Sequence, residues 1–455
     1  MIDPGSFRDP SGFIVHKNKK VFRVINHIYE DHYKYLINSG LYNTLVNQGF
    51  LINHNEINSS TLKGNHYKIL EVEKVPFISY PYEWSFSQLK DALLLTLKIQ
   101  KICVEFNMTL KDATPFNIQF KDNKPIFIDT LSFELINDEN YVWKPYKQFC
   151  EMFLGPLCLM KYVDPNLNKL LINYINGVPL DLINKLLPFS KKFNLLVLTH
   201  LVIPSFVKSK VNSSKKSIKS KISKTQHLNI INQIEDFVFK MNPPNLISEW
   251  GDYNNETISE KKDYVIDKEN TIKSFLKDGN YKLTWDIGSN DGFFSRIIAD
   301  KYSDYLISFD IDWRCVDSNY LKCRDLNINN VFPLILDLSN PTPSIGWMNK
   351  ERSSVYKRFG SPDLITCFAV IHHVINVGIP LESFIEFLSK STKDILIEYV
   401  PYSDPKCQII FESRDENFKY PSIDEFEKLI INKFNIIKTK ELVETKRTLY
   451  LLRKK

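Results

Sequence analysis

Residues 281–302, YKLTWDIGSNDGFFSRIIADKY, constrain the fold more than any other stretch of the chain. The apolar run from Leu283 to Ile287 predicts a buried strand, Gly288 to Gly292 predict a tight turn, and Phe293 to Asp300 predict a helix. Glycines let a ligand approach the backbone, and free N–H groups at a helix amino terminus bind carboxylates or phosphates. The segment is therefore typical of the strand–turn–helix unit that binds nucleotides in α/β domains.

Four further apolar runs and a hairpin follow this unit, and each run is bordered by an aspartate. Leu306 to Phe309 ends in Asp310, about twenty residues after the turn, where a carboxylate can accept both hydroxyls of a ribose. The other runs are Val331 to Leu336 before Asp337 and Leu338, LITCFAVIHHV after Asp363, and ILIEYV after Asp394. Phe434 to Thr439 and Thr448 to Leu452 predict a closing antiparallel hairpin. Seven strands with intervening helices predict a doubly wound, Rossmann-like α/β sheet with its ligand at the carboxyl ends of the first strands.

The motifs DIGSNDG, FD at Asp310, LD at Asp337 and AVIHHV after the fourth strand resemble class I S-adenosylmethionine (SAM)-dependent methyltransferases. The ending EYVPYSDP, SRDENF and TLYLLRK is similar to a bacterial subgroup of that family. The resemblance implies SAM as the cofactor, with its ribose on Asp310 and its adenine on Asp337 and the Leu338 amide. The residues it implies for the methionine end are Asp286, Gly288, Ser289 and Gly292. Asn290, also in this cofactor turn, stands where the commonest motif has its middle glycine, and Asn tolerates a positive φ.

The rival interpretation of a strand–turn–helix unit is an NAD-dependent dehydrogenase. That class requires GxGxxG and an open backbone at its phosphate site. Here position 290 is not glycine, and the predicted helix begins with Phe293 and Phe294. The dehydrogenase is therefore the poorer fit.

Methyl transfer is an in-line displacement at a sulfonium, so the enzyme positions two reactants, excludes water and, where needed, removes a proton from the nucleophile. His372 and His373 follow the fourth strand, where the donor methyl would face the acceptor, and either is a candidate general base. The alternative is that this pair packs beneath the cofactor. The residues expected on the acceptor side, with surface or capping roles as the alternative, are Glu398, Tyr399, Arg414 and Asp415. Trp250 to Tyr253 either closes over the cofactor or packs as ordinary aromatic residues.

A second constellation lies in the first half of the chain, in TLKDATPFNIQF and PIFIDTLSFE. Asn117 follows Asp112 by five residues, and Asp129 follows Asn117 by twelve. The pattern resembles the catalytic and metal loops of protein-kinase-like folds, in which one carboxylate orients the acceptor hydroxyl while an amide and a carboxylate hold magnesium. By that resemblance Asp112 orients the acceptor, and Asn117 with Asp129 holds the Mg²⁺ that accompanies ATP.

The rest of this half fits an α+β kinase-like domain, with three departures. The expected elements are a hairpin of Gly5–Val15 and Val21–Ile25, a helix over Ile28–Val46, a strand pair within Ile69–Tyr80, a hinge at Tyr80–Trp84 and a helix over Phe86–Phe106. Leu110 replaces the usual histidine, and Thr130 with Leu131 replaces Phe-Gly. Arg23 is the nearest stand-in for the phosphate-binding lysine. Both an inactive domain and a working phosphotransferase are compatible with these residues.

The run KSKVNSSKKSIKSKISK, from Lys208 to Lys224, marks the seam between the halves. It predicts a kinase-like domain over 1–200, a Lys/Ser-rich linker over 201–229 and a methyltransferase domain over 230–455. A solvated connector is the favoured role of the run. The weaker alternative is contact of residues 195–224 with a membrane surface, because an apolar segment beside lysines can lie on anionic lipid.

The composition of the chain indicates which binding partners and which cellular compartment to expect. A net charge of +6 over 455 residues does not indicate a nucleic-acid binder, and the seven cysteines lack zinc-site spacing. The start MIDPGSFRDP has no secretory signal, and the apolar stretch Leu195 to Val207 is too short to span a bilayer, so a cytoplasmic protein without a transmembrane segment is expected. The predicted function is methylation of an unidentified acceptor, such as a glycan or other small molecule, with the first half recognising it. A bifunctional kinase-methyltransferase and a non-catalytic interaction protein are the alternatives.

Overall fold

The computed structural model describes residues 2–57, 64–137, 139–207, 221–245, 262–412, 414 and 418–455. The chain forms two compact units. The first comprises Met1–Asn245 together with Ser344–Ser353, and the second comprises Leu246–Pro343 together with Ser354–Lys455. Among the helices described, none combines the length and the apolar character needed to cross a membrane.

The first unit is built on a four-stranded antiparallel sheet in the order β1-β2-β4-β3. Asn18 and Lys19, which join β1 to β2, both have positive φ, as a two-residue hairpin turn matched to the strand twist requires. Two small antiparallel pairs, β5 with β8 and β6 with β7, follow. The strands of this unit are β1 Gly12–Lys17, β2 Lys20–Ile25, β3 His54–Ile57, β4 Lys68–Val72, β5 Met108–Leu110, β6 Ile118–Lys121, β7 Lys124–Phe127 and β8 Phe133–Leu135.

The longest helix of the first unit, α3, begins at a capping box in which the Ser85 and Gln88 side chains each bond the other's backbone N–H. The helices are α1 Glu30–Asn38, α2 Leu41–Asn47, α3 Phe86–Glu105, α4 Tyr146–Phe149, α5 Gly155–Tyr162, α6 Leu170–Asn173, α7 Leu180–Leu186, α8 Phe189–Lys192, α9 Leu195–Val197, α10 Ile203–Val207 and α11 Lys224–Phe239. Cys150–Leu154 and Leu198–Val202 are π-helical turns.

Two expectations for the first unit were wrong in detail. The single helix over Ile28–Val46 is two helices, because Gly40 takes a φ of +83° and starts α2 in a new direction. The strand pair expected within Ile69–Tyr80 is one strand, β4, which pairs with β3 and β2 instead. The mixed polar sequence of β3, HNEI, gives little β signal.

The expected boundaries at residues 201 and 230 were also wrong. Leu201–Val207 is helical, and α11 begins at Lys224 and belongs to the first unit. Ile231, Ile234 and Val238 are buried along one face of α11, and Lys101 of α3 pairs with Glu235. The helix therefore completes the first core. Residues 208–220 of the predicted linker lie outside the described residues.

The second unit contains a seven-stranded sheet in the order β11-β10-β9-β12-β13-β15-β14. The first five strands in this order are parallel, and β15 runs antiparallel between β13 and β14. Its strands are β9 Tyr281–Ile287, β10 Ser303–Asp310, β11 Val331–Ile335, β12 Leu364–Cys367, β13 Asp394–Tyr399, β14 Phe434–Glu441 and β15 Thr448–Lys454.

The chain moves outward from β9 to β11 and then returns to β12 on the other side of β9. Ligands of open α/β sheets bind at the carboxyl ends of the strands beside such a reversal. The helices of the unit are α12 Lys262–Leu276, α13 Phe293–Lys301, α14 Trp313–Asp325, α15 Val355–Phe359, α16 Ile371–Asn376, α17 Leu381–Ser391, α18 Pro405–Phe411 and α19 Ile423–Lys433. This strand order therefore predicts a binding site between the carboxyl ends of β9, β10 and β12.

Candidate functional site

A cavity of about 370 Å³ opens at the carboxyl ends of β9, β10 and β12 in the second unit. Its wall contains these residues predicted from the sequence: Asp286, Gly288, Ser289, Asn290, Asp310, Asp337, Leu338, His372 and His373. Gly292 is not among the lining residues. The strand order thus brings together side chains that lie up to 87 residues apart in the chain.

The turn after β9 lets a ligand reach the backbone. Gly288, Asn290 and Gly292 have φ values of +69°, +49° and +73°. A Cβ on Gly288 would lie 2.6 Å from Val370 Cγ2, which also lines the cavity. A Cβ on Gly292 would lie 2.2 Å from the Asn319 side chain, so this glycine lets α13 pack closely against α14. Its contact with the methionine end of SAM stays a prediction.

Asp310 ends β10 and holds its carboxylate between two loops. Oδ2 accepts from the Asn290 backbone N–H at 2.7 Å, and Oδ1 accepts from the Asp312 backbone N–H at 2.9 Å. Burial raises the pKa of Asp310 to about 6, against the lowering effect of these backbone hydrogen bonds. Because a carboxylate accepts about four hydrogen bonds, two positions remain for the hydroxyls of a ribose.

Asp286, the penultimate residue of β9, forms its hydrogen bonds within the protein. Its Oδ1 accepts from Thr366 Oγ1 at 2.7 Å, and its Oδ2 accepts from the Ser295 hydroxyl. Burial raises the pKa of this carboxyl to about 6. Asp286 lines the cavity and also ties β9 to β12 and α13, so its position is fixed before any ligand binds.

Asp337 and Leu338 follow β11 and form the rim of the cavity. Asp337 Oδ1 accepts from the backbone N–H and the hydroxyl of Ser339, at 2.8 and 2.6 Å. This turn is partly exposed, whereas Asp310 is nearly enclosed at 9% exposure. The rim suits a planar ring that is partly open to solvent.

His372 and His373 begin α16, and both line the cavity with ring centroids 4.2 Å apart. Burial lowers the pKa of His372 well below its ordinary value and lowers that of His373 to about 4. Within the described part of the chain, His372 Nδ1 is buried and has no hydrogen-bond partner. An unpaired buried nitrogen is costly, and the His372 residue that carries it is part of the cavity wall.

A buried charged network that the sequence did not indicate forms another wall. Lys268 donates to Glu398 Oε2 at 2.7 Å, Tyr264 donates to Glu398 Oε1 at 2.7 Å, and Arg447 Nε donates to Asp404 Oδ2 at 2.9 Å. Burial by itself would raise the pKa of Glu398, but Lys268 and Arg447 outweigh burial and hold it below its ordinary value. Tyr264, Lys268 and Arg447 line the cavity, and Lys406 joins them.

The expected acceptor-side residues do not face the cavity. Glu398 is fully buried in the network above, and the Tyr399 hydroxyl donates to the Pro421 carbonyl at 2.8 Å. Arg414 is exposed and donates to the Asn376 carbonyl. Neither Glu398, Tyr399 nor Arg414 belongs to the lining, which corrects the prediction. Asp415 and Trp250 to Tyr253 lie outside the described residues.

A second cavity, of about 520 Å³, lies within the first unit and is lined by Asp112, Asn117, Asp129 and Arg23. The three residues singled out by their spacing therefore do share one site. Burial and the neighbouring Asp129 carboxylate raise the pKa of Asp112 to about 6. A short segment, Ser344–Ser353, also contributes to this site: Arg8 pairs with Glu351, and Arg352 lies 4.4 Å from the Phe116 ring centroid.

The arrangement of this second site does not fit bound magnesium. Arg23 forms an ion pair with Asp129 Oδ1, and the Ser132 hydroxyl donates to Asp129 Oδ2. Asn117 Nδ2 donates to Ser132 at 3.0 Å. A cation at Asp129 would have to displace the Arg23 guanidinium, which already pairs with this carboxylate.

No protein-family model matches the chain. Nodulation protein NoeA of Rhizobium meliloti (strain 1021) is 28% identical over 459 residues, which cover 98% of this chain and 94% of NoeA. The chain is similar to the solved N-methyltransferase NodS of Bradyrhizobium japonicum WM9, with 10% identity, a TM-score of 0.31 and coverage of 43% of this chain and 98% of NodS. It is also similar to a solved SAM-dependent methyltransferase of Clostridium acetobutylicum ATCC 824, with 13% identity, a TM-score of 0.33 and coverage of 45% and 99%.

Proposed function

We propose that the protein is a SAM-dependent methyltransferase that acts on an as yet unidentified small-molecule or glycan acceptor. The observation that carries the proposal is Asp310, a buried carboxylate fixed by backbone N–H groups at the end of the second parallel strand. Beside it, Gly288 keeps the turn free of a side chain. The carboxylate suits a ribose, and the open turn suits a ligand that lies against the backbone. Both features of this chain fit SAM.

The apolar start of α13 supports SAM over a dinucleotide. A dinucleotide places its pyrophosphate on the free N–H groups at the amino terminus of this helix. Here the first residues are Phe293 and Phe294, whose rings line the cavity and lie 5.1 Å apart. Apolar rings suit an uncharged part of the ligand better than a pyrophosphate.

SAM, when bound, supplies a methyl group on a sulfonium, which needs no further activation. The protein then has to position the acceptor, exclude water and receive a proton where the acceptor is a hydroxyl. His372 is the candidate for this last task, because it lines the cavity and its Nδ1 is without a partner among the described groups. The charged network of Lys268, Glu398 and Arg447 fixes the wall beside it.

For the first unit we propose recognition of the acceptor, or of a nucleotide, without phosphoryl transfer. The shared cavity of Asp112, Asn117 and Asp129 supports a kinase-like relationship. The pairing of Arg23 with Asp129 argues against the bifunctional alternative, because it occupies the carboxylate that magnesium would need.

Native mass spectrometry of the purified full-length chain tests the proposal without knowledge of the acceptor. The expected result is a bound species with the mass of SAM or S-adenosylhomocysteine. The adduct should vanish in Asp310→Asn and persist in Asp312→Asn, which removes a neighbouring carboxylate while keeping a good cap for α14. A dinucleotide adduct, or a SAM adduct that survives Asp310→Asn, would contradict the assignment.

A further inference from the structure

The helical segment that ends the first half of the chain exposes large apolar side chains. Phe189, Phe193 and Leu195 are 75%, 67% and 70% exposed. The two phenyl rings lie edge to face with centroids 5.0 Å apart, so they form one apolar patch. We call these three residues the Phe189 surface. Ile203 and Phe206 of the same helical segment are also largely exposed.

Buried residues of the same helical segment pack beneath the Phe189 surface. Ile183, Val197 and Leu201 of the same segment are essentially inaccessible to solvent. Asn184 of α7 donates to Ser205 of α10 at 3.0 Å, which ties the two ends of the segment together. These helices therefore bury one apolar face in the first unit while presenting a second apolar face to solvent. Exposed aromatic clusters of this kind usually mark an interaction site.

The charge along this stretch of the chain has a single sign. Between Asp181 and Glu235 the sequence contains no aspartate or glutamate, although the whole chain has 53 of them. The lysines of this stretch are Lys185, Lys191, Lys192, Lys208, Lys210, Lys215, Lys216, Lys219, Lys221 and Lys224. Lys191 and Lys192 of α8 lie between Phe189 and Phe193 in the sequence, so the described part of the surface carries its own positive charge.

Apolar side chains flanked by lysines fit an anionic membrane surface better than a second copy of this chain. Two copies joined through this surface would bring lysines of like charge together, which is unfavourable. On a membrane, aromatic and leucine side chains enter the boundary between headgroups and acyl chains while lysines reach anionic headgroups. The described helices are too short or too polar to cross a bilayer, so the contact would be one of surface docking.

We infer that the Phe189 surface docks the protein onto anionic lipid membranes. Phe189, Phe193 and Leu195 enter the interface, and Lys185, Lys191 and Lys192 contact the headgroups. Binding depends on both contributions, because a single weak anchor gives only marginal membrane affinity. The inference stands independently of the proposed methyl transfer, since none of these residues lines either cavity described above.

Co-sedimentation of the full-length chain with vesicles tests this inference. The chain should bind vesicles of phosphatidylcholine and phosphatidylglycerol at 3:1, bind pure phosphatidylcholine at least tenfold more weakly, and dissociate as ionic strength rises. Phe189→Ser with Phe193→Ser should lower affinity at least tenfold. Replacing Lys185, Lys191 and Lys192 with Gln should lower it by about fivefold for each charge removed. Phe239→Ser, which changes an equally exposed phenylalanine elsewhere, should have no effect.

Three outcomes would overturn the inference. One is vesicle binding that survives the double phenylalanine change and depends on lysines alone, which would be simple electrostatic adsorption. Another is the absence of vesicle binding together with a dimer that the double change dissociates in sedimentation velocity, which would assign the surface to self-association. The third is equal binding to neutral and anionic vesicles. Circular dichroism of each variant checks that the fold is retained, as expected for exposed positions.

Discussion

In the role that we propose, Asp310 accepts hydrogen bonds from both hydroxyls of a ribose as an ionised carboxylate, yet its buried position disfavours the charge. Burial raises the pKa of Asp310 to about 6 despite two backbone N–H donors. The sequence identified this residue, because a carboxylate at the end of a buried strand has a recognisable position. Lys268 and Arg447 were missed, because a charged side chain in a sequence suggests a surface position. Tertiary pairing explains their burial: Lys268 pairs with Glu398, and Arg447 pairs with Asp404 and lies beside Glu398.

The pKa of Asp310 predicts how SAM affinity depends on pH. The ionised carboxylate predominates above pH 6, and protonation removes one acceptor position, so affinity should be constant near pH 8 and fall below pH 6. Titration calorimetry of the full-length chain between pH 5 and 8 measures this. Asp310→Asn should bind weakly with little change in affinity over that range. A wild-type affinity that rises toward pH 5 would contradict the role given to Asp310.

The pairing of Arg23 with Asp129 predicts that the first unit does not turn over ATP. An assay of ADP release by the full-length chain, with and without magnesium, should give no turnover above a blank without protein. Asp129→Asn should leave that rate unchanged and should lower the free energy of unfolding by about 1–3 kcal/mol, since Arg23 loses its partner. Magnesium-dependent ADP release that disappears in Asp129→Asn would instead establish a phosphotransferase.

At the scale of elements, the parallel strands were predictable because strands buried on both faces appear as continuous apolar runs. Predicted strand β11 ended at Leu336 and the observed strand ends at Ile335. Strand β3 and the break between α1 and α2 were not predictable in the same way. The former has a polar sequence, and the latter depends on one glycine in a sequence that otherwise favours a continuous helix. Local pattern therefore predicted the elements of the second unit better than those of the first.

The seating of α13 on α14 depends on Gly292, whose φ is +73° and whose Cβ position lies 2.2 Å from Asn319. Asn319 cannot easily move, because it donates to Ser308 at 2.9 Å. Gly292→Ala should therefore lower the free energy of unfolding by about 2–4 kcal/mol, from backbone strain and overpacking together. Gly378→Ala is the matched control: its φ is +87° but no atom lies within 4 Å, so about 1 kcal/mol is expected. If urea unfolding shows the same decrease in the free energy of unfolding for Gly292→Ala and Gly378→Ala, the packing role of Gly292 is refuted.

At the scale of the whole molecule, the boundary between the two units was the hardest feature to predict. An amphipathic helix indicates that one face is buried but not which domain buries it, so α11 was assigned to the wrong side. No signal in the sequence indicated that Ser344–Ser353 belongs to the first unit, because these residues follow β11 of the second unit in the chain. Contacts between segments far apart in the chain, such as Arg8 with Glu351, leave no local signal.

Because α11 belongs to the first unit, replacing one of its buried residues should change amide hydrogen exchange in that unit and not in the second. Ile234→Ala removes a fully buried side chain and should speed amide hydrogen exchange in α3 while leaving β9 unaffected. Ile298→Ala, equally buried in α13, should do the reverse. Hydrogen exchange of the full-length chain, followed by mass spectrometry, distinguishes them. Faster exchange in β9 of the Ile234→Ala variant would show that α11 packs in the second unit instead.

Calorimetric titration of the full-length chain with SAM at pH 7.5 tests whether the chain binds this cofactor through Asp310. We expect saturable binding to one site with a dissociation constant near 1 μM, equivalent to about −8 kcal/mol. Asp310→Asn should weaken binding at least tenfold, while Asp312→Asn should leave it unchanged. The absence of SAM binding would refute SAM as the ligand, and equal affinity in Asp310→Asn and the wild-type chain would refute the role given to Asp310.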